Sequence, residues 1–443
     1  MSIYKAYDIR GLYPGELDEN TARRIGSAFA RYLEAGALVV GRDMRTMAPA
    51  VADAVIEGIT STGCHVLDIG LASTPMTYFA IGRLPCDGGL CVTASHNPKD
   101  YIGFKLCREG ARPLSGDAGI KELERIVAEK EPRPASRRGE RRRLEVKEDY
   151  VEHVLSFARE IPPLRIAVDY ANGMGAFAVP EILSHLEGLQ VESIHDELDG
   201  TFPNHEANPL KEENLADLRR KIEESGADLG VEFDGDADRC AFMDGRGRVV
   251  SSDLVTALLA RDLLAAHPGK GILYDLRSSR VVPEEIERLG GVPVRERVGH
   301  SFMKATMRAR DCAGGGELSG HYYFADNYFS DSGIIALLKI LGVMAREKKS
   351  LQELADGLRK YHSTGEINFR VEDKRGKMEE LAGKYAGGEV DWLDGVCVNY
   401  PDWWFNVRPS NTEPYLRLVL EADTAELMEE KRQELVGLIG KVV

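Results

Sequence analysis

The strongest constraint on this chain is an order of elements that comes round three times. A strand, a helix, a second strand, another helix and a third strand follow one another, and each third strand runs straight into a short polar loop. In the first round Ala37 to Asp43 reads as a strand, Ala50 to Ser61 has helical apolar spacing with Pro49 suited to its first turn, and His65 to Ile69 is the second strand. Leu90-Cys91-Val92 closes the round. Pro98 biases Asn97 away from helix, so Ser95 sits on a turn at the strand's carboxyl end. The second round has strands at Leu164 to Asp169, Gln190 to Ile194 and Asp228 to Phe233, and ends in Asp234-Gly235-Asp236-Ala237-Asp238-Arg239. The third has strands at Ile272 to Asp275 and Val292 to Arg295, and closes at Cys312 to His321, with Glu317, Ser319 and His321 in the loop. Such alternation predicts α/β domains with mixed, mainly parallel sheets, and ligands at the carboxyl ends of the strands.

Beyond residue 365 the pattern changes. Ile367 to Val371 is strand-like, a short helix is expected near Met378 to Tyr385, Trp403-Trp404-Phe405 lies in a hairpin-like region, and a helix runs from about Thr424 to Leu438. This reads as a smaller α+β domain carrying the loop Arg408-Pro409-Ser410-Asn411-Thr412-Glu413-Pro414. The expected domains are therefore 1–147, 148–247, 248–364 and 365–443, the first three similar in plan.

Composition limits the partners. With 57 Lys+Arg against 72 Asp+Glu the formal charge is −15, which argues against a nucleic-acid backbone and requires any anion site to be local. The Arg-rich stretch within Pro132 to Arg143 fits an exposed connector. No run of 18 apolar residues occurs and the first residues lack the pattern of a signal peptide, so a cytoplasmic protein without a membrane partner is expected. Seven cysteines without a Cys-x-x-Cys pair suggest buried thiols in a reducing compartment.

The loops carry different chemistries. Asp234, Asp236 and Asp238 alternate along the backbone and can turn three hard oxygen ligands toward one Mg²⁺, which would offset their mutual repulsion. No glutamate stands where an EF-hand would need it. The Arg408 loop packs a guanidinium, two hydroxyls and an amide into five positions, a donor set suited to a phosphate dianion. Glu317, Ser319 and His321 offer an acceptor, a hydroxyl and an imidazole for a sugar's hydroxyls. Each loop alone is also compatible with an ordinary turn. Together they describe phosphoryl transfer on a sugar, and with no Gly-x-x-x-x-Gly-Lys-Ser/Thr loop for a nucleotide, a serine that itself carries the phosphate completes the set.

Six ordered motifs then match a known family: Tyr7-Asp8-Ile9-Arg10-Gly11, Thr93 to Pro98, Gly103-Phe104-Lys105, Asp234 to Arg239, Gly316 to His321 and Arg408 to Pro414. Over its whole length the chain resembles the α-D-phosphohexomutases, in particular their phosphomannomutase/phosphoglucomutase group. The resemblance implies four domains around a central cleft and interconversion of hexose 1-phosphate and 6-phosphate through a phosphoserine and a hexose 1,6-bisphosphate. It makes Ser95 the phosphoryl carrier and, with Asp234, Asp236 and Asp238, a ligand of Mg²⁺. Arg10, Lys105, His96 and Arg239 become catalytic, supporting the transferred phosphoryl group or its acid/base chemistry. Glu317 and Ser319 would read the sugar with His321 beside them, Arg408, Ser410, Asn411 and Thr412 would hold the non-reacting phosphate, and His300 and Lys304 would contribute to substrate binding. The implied partners are small phosphosugars, and the implied state is a monomer or weak homo-oligomer. Two departures stand out: Ala237 replaces the usual glycine of the metal loop, tolerable at a negative φ, and Leu318 is nearer the mannose/glucose type than the glucosamine type. A phosphoglucosamine mutase, a Mg²⁺-dependent sugar phosphatase and a non-catalytic sugar-phosphate binder are the alternatives.

Overall fold

The computed structural model describes the chain apart from residues 1, 130–133, 160, 162 and 411–414, and at 117–118 the backbone alone. Three sheets share one plan. In the first, Ala37–Arg42 is central and pairs in parallel with His65–Leu71 on one side and Gly88–Val92 on the other, after which Tyr101–Arg108 and Ile9–Leu12 are antiparallel. In the second, Leu164–Asp169 is flanked in parallel by Leu189–Ile194 and Leu229–Phe233, with Cys240–Asp244 antiparallel beyond. In the third, Gly271–Asp275 lies between Val292–Glu296 and Cys312–Gly316, with Tyr322–Phe324 antiparallel beyond.

This plan decides where the polar loops go. Each lies at the carboxyl end of the third parallel strand, just before the antiparallel strand that turns back beside it, so Ser95, the three aspartates and Glu317 occupy equivalent corners of three sheets. All three third strands are buried along their length, as expected of strands covered on both faces. The return strands need close approach: a Cβ on Gly103 would stand 2.1 Å from the carbonyl oxygen of Ile9, so only glycine fits opposite Arg10.

Arg141–Arg143 forms an edge strand parallel to His65–Leu71, so this part of the expected connector belongs to the first sheet. Arg141 pairs with Asp68 and Asp53, which occupies part of the basic run with intramolecular partners. The C-terminal sheet is antiparallel throughout and carries the helices Lys374–Lys384 and Ala425–Ile439. All seven cysteines are free thiols.

One apolar core runs without a break through the first three sheets, from Val39 and Ile69 through Tyr150, Val231 and Leu258 to Ile272, and the other face of the first sheet packs a second core that includes Phe29, Val40, Val55 and Leu90. At its centre the helix Gly333–Glu347 buries nearly every residue from Gly333 to Met344. The C-terminal sheet has a core of its own, including Phe369, Leu381, Phe405, Leu418 and Leu435. Among the described residues no helix is long and apolar enough to cross a membrane.

Candidate active site

The apolar run Gly88–Val92 stops at Thr93, whose hydroxyl accepts from the Ser95 amide at 2.9 Å. Ser95 itself is 1% exposed and takes a positive φ of 51°, a conformation disfavoured for a residue with a Cβ. Arg45 braces this turn. Its buried guanidinium donates to the carbonyl oxygens of Ser95 at 2.7 Å, Asn97 at 2.6 Å, Pro98 at 2.8 Å and Tyr101 at 3.1 Å, and pairs with Asp43. Arg10 bonds Asp8 and Asn97 beside it.

The acidic loop of the second sheet meets this turn directly. Ser95 Oγ donates to Asp234 Oδ2 at 2.9 Å and lies 3.3 Å from His96 Nδ1. Asp234, Asp236 and Asp238 are all buried, and one oxygen from each falls within 4.8 Å of the others. Lys105 enters from the first sheet and bonds Asp236 at 2.6 Å and also Asp238, while Thr74 donates to Asp236 at 2.6 Å. Burial, reinforced by the neighbouring Asp236 and Asp238, holds the Asp234 carboxyl well above its ordinary range. Against a desolvation that works the other way, Asp236, Asp238 and Asp234 raise the Lys105 ammonium. Burial, with Arg239, Arg10 and Lys105 nearby, keeps His96 well below the usual imidazole range and so neutral.

A divalent ion fits this loop. Asp236 Oδ1 and Asp238 Oδ1 are buried without a hydrogen-bond partner, and Lys105 and Arg239 offset only part of the charge of three carboxylates. The donors are hard oxygens, the type Mg²⁺ takes. Ala237 does not meet the condition of a negative φ: its φ is +62°, so the turn holds an alanine in the left-handed region. The loop must reverse tightly to bring alternate aspartates to one point.

The second and third sheets join at Arg239 and His321, which form an isolated antiparallel bridge. Arg239 Nε donates to His321 Nε2 at 2.9 Å, leaving Nδ1 2.7 Å from Asp331. Asp331 also pairs with Lys304 at 2.7 Å. Lys304 is fully buried, its ammonium 3.9 Å from the Tyr78 ring centroid, so it stands one layer behind His321. His300 stacks near His321 and Tyr7, with Nδ1 lacking a hydrogen-bond partner among the described residues. Glu317 accepts from the Gly299 amide at 2.8 Å and from the Tyr323 hydroxyl, and Ser319 is partly exposed on the same turn.

The fourth domain supplies a basic cluster. Arg408 is buried and donates to Glu366 at 2.8 Å, Arg417 pairs with the same carboxylate at 2.8 Å, and Arg277 of the third sheet comes within 3.5 Å of it. Three guanidiniums thus meet at Glu366, one of them also paired with Asp275, and burial followed by Arg277 lowers the Arg408 pKa. Arg277 is tied by Asp275 to the backbone amide of Leu318, which links this cluster to the Glu317 turn. Ser410 is partly exposed at its edge, and Asn411 and Thr412 lie outside the described residues. Arg45, Thr74, Arg277, Asp331, Glu366 and Arg417 were not singled out in the sequence. They come from other loops, strands and a helix start, and carry no local motif.

Four Phosphoglucomutase/phosphomannomutase domain descriptions match in order: alpha/beta/alpha domain I over residues 1–134, domain II over 148–247, domain III over 251–361 and the C-terminal domain over 366–438. The chain is 39% identical over 445 residues to a protein described as phosphohexose mutases from Xanthomonas campestris pv. campestris (strain B100), covering 99% of each. It is 39% identical over 448 residues to a phosphomannomutase of Methanocaldococcus jannaschii, covering 100% of this chain and 98% of that one. A crystal structure of a phosphoglucomutase/phosphomannomutase family protein from Burkholderia thailandensis superposes with a TM-score of 0.92 at 31% identity, over 99% of this chain and 98% of that one. With the same four domains in the same order and relatives matched from end to end, the chain belongs to the phosphoglucomutase/phosphomannomutase family of mutases.

Proposed function

We propose that this chain interconverts hexose 1-phosphate and hexose 6-phosphate, with mannose, glucose or both as the sugar, through a phosphorylated Ser95 and a hexose 1,6-bisphosphate. The observation that carries the reading is the Ser95 hydroxyl, held 2.9 Å from Asp234 inside a buried cage of three aspartates, Lys105 and Arg239. A phosphoryl dianion on this hydroxyl would be offset by Lys105, Arg239 and a cation held by the three aspartates.

In the first transfer the Ser95 O–P bond breaks and a bond forms from phosphorus to the free hydroxyl of the hexose monophosphate. The sugar hydroxyl loses its proton and Ser95 regains one. The bisphosphate then turns around and returns its other phosphoryl group to Ser95. Lys105, Arg239 and Arg10 offset charge on the moving oxygens, and His96, neutral and 3.3 Å from Ser95 Oγ, lies beside the hydroxyl. Ser95, Asp234, Asp236 and Asp238 would hold Mg²⁺, which when bound neutralises charge on the phosphoryl group. Glu317 and Ser319 read the sugar hydroxyls, and His321 and His300 shape that end of the site. Arg408 and Ser410, with Asn411 and Thr412, take the phosphate that does not react, reinforced by Arg277 and Arg417. Lys304 acts through Asp331 and His321 as a positioning residue.

The test is incubation with mannose 1-phosphate, Mg²⁺ and a trace of glucose 1,6-bisphosphate, following mannose 6-phosphate and free phosphate. Mannose 6-phosphate without matching phosphate release is expected. Free phosphate alone would show a phosphatase, and no product with either mannose or glucose 1-phosphate would overturn the reading.

A further inference from the structure

The second sheet carries another set of metal-type ligands, away from the acidic loop. Asp169 ends the central strand Leu164–Asp169, His195 follows the edge strand Leu189–Ile194, and His205 lies in the segment after it. One donor atom from each lies within 4.8 Å of the other two. His205 Nε2 is 3.1 Å from Asp169 Oδ2, and His195 Nε2 is 4.0 Å from the same oxygen and 3.1 Å from Asp217. His205 Nδ1 stands 2.9 Å from the carbonyl oxygen of Glu206. A proton held there leaves Nε2 with its lone pair toward the cluster, the arrangement that orients metal-bound histidines.

A second observation is independent of these distances. Glu232 pairs in register with Asp169 on the adjacent parallel strand, which puts both side chains on one face of the sheet. It is fully buried, and neither of its carboxylate oxygens has a hydrogen-bond partner. A buried polar group without a partner is costly, and a cation held beside it by Asp169 and two imidazoles offsets that cost. His195 also takes a positive φ of 50°, with its ring edge-on to that of His205 at a centroid distance of 5.2 Å.

We propose that Asp169, His195 and His205 bind one transition-metal dication of the zinc type, with the buried Glu232 carboxylate on the adjacent strand as an outer partner. Imidazole nitrogens mixed with carboxylate oxygens suit Zn²⁺ or Co²⁺, whereas Mg²⁺ takes oxygen ligands and belongs in the acidic loop. Donors about 2.1 Å from one ion stand at most about 4.2 Å apart, so small side-chain shifts close the set of Asp169, His195 and His205. The ion would act structurally. The Asn172 amide donates to the carbonyl oxygen of His195 at 2.9 Å, and two residues on, the Met174 amide donates to that of Gly235 at 2.9 Å. The site thus braces the backbone on which the acidic loop rests.

The test uses the full chain, stripped with a chelator, returned to excess Mg²⁺ to fill the acidic loop, and titrated with CoCl₂. One Co²⁺ per chain is expected, with visible absorption bands, displaced by ZnCl₂ and not by more Mg²⁺. His195→Gln and Glu232→Gln should each weaken Co²⁺ binding by at least about tenfold, while Asp236→Asn keeps it. ZnCl₂ should also raise the melting temperature of the stripped wild type. Absence of Co²⁺ binding under excess Mg²⁺, or binding that survives both His195→Gln and Glu232→Gln, would overturn the proposal. So would a wild type whose melting temperature ZnCl₂ leaves unchanged, a readout that does not depend on either variant folding.

Discussion

Two residues at the centre of the site hold backbones that side chains usually avoid. Ser95 and Ala237 lie at φ of 51° and 62°, on the two loops whose side chains meet at Asp234. For Ser95 the turn is what aims the hydroxyl into the cage, so the residue rather than the turn should carry the chemistry. Ser95→Ala is expected to lose at least about two orders of magnitude in mutase rate, because the proposed covalent route goes with the hydroxyl; a coupled assay showing near-normal turnover would refute that role. At Ala237 the methyl group is buried in the large apolar core, but the left-handed backbone it sits on is strained. Ala237→Gly should raise stability by about 1 kcal/mol, read as a higher urea midpoint, since left-handed backbone costs a residue with a Cβ roughly that much; an unchanged or lower midpoint would count against the strain. The sequence displays both residues in plain motifs. It does not display their φ, because the reversal of the acidic loop follows from where three carboxylates must converge.

At the scale of elements, three equivalent strand ends explain why so much was readable. An apolar run that stops abruptly at a serine, an aspartate or a glutamate is visible in one dimension, and the common sheet plan then puts all three stops at the same corner. What one dimension hides is the support around each loop. Arg45, Thr74, Arg277, Asp331, Glu366 and Arg417 reach the site from other segments of the chain, several of them loops, and nothing beside them in the chain marks them. Helix starts were placed loosely for a similar reason: Lys374–Lys384 begins with a polar turn, capped by Asp373, before its first apolar residue. Arg45 is the clearest of the hidden supports. Arg45→Met would release four carbonyls of the Ser95 turn and leave Asp43 as a buried carboxylate without its cation, costing about 3 kcal/mol. Denaturant unfolding checks this, and a loss below about 1 kcal/mol would show that the turn stands without its brace.

Across the whole molecule the polar site is a chain of contacts from one unit to the next: Lys105 to Asp236, Arg239 to His321, Arg277 to Glu366. The apolar packing beneath it is divided differently. One face of the first sheet shares a core with the second and third while its other face packs a separate core with Phe29 and Val55, whereas the fourth domain keeps its own and meets the third through polar groups such as Arg280, whose amide donates to Glu421 and whose guanidinium donates to the carbonyl oxygens of Pro401 and Trp403. Heat should therefore find two cooperative units where the sheets suggest four. A calorimetric trace of the free protein is expected to resolve into a large transition for residues up to about 361 and a smaller one for the C-terminal domain, and one single two-state peak would contradict the division. A phosphosugar held by Arg408 on one unit and Glu317 on the other should draw the two peaks together, so the melting profile would report occupancy of the site without any turnover at all.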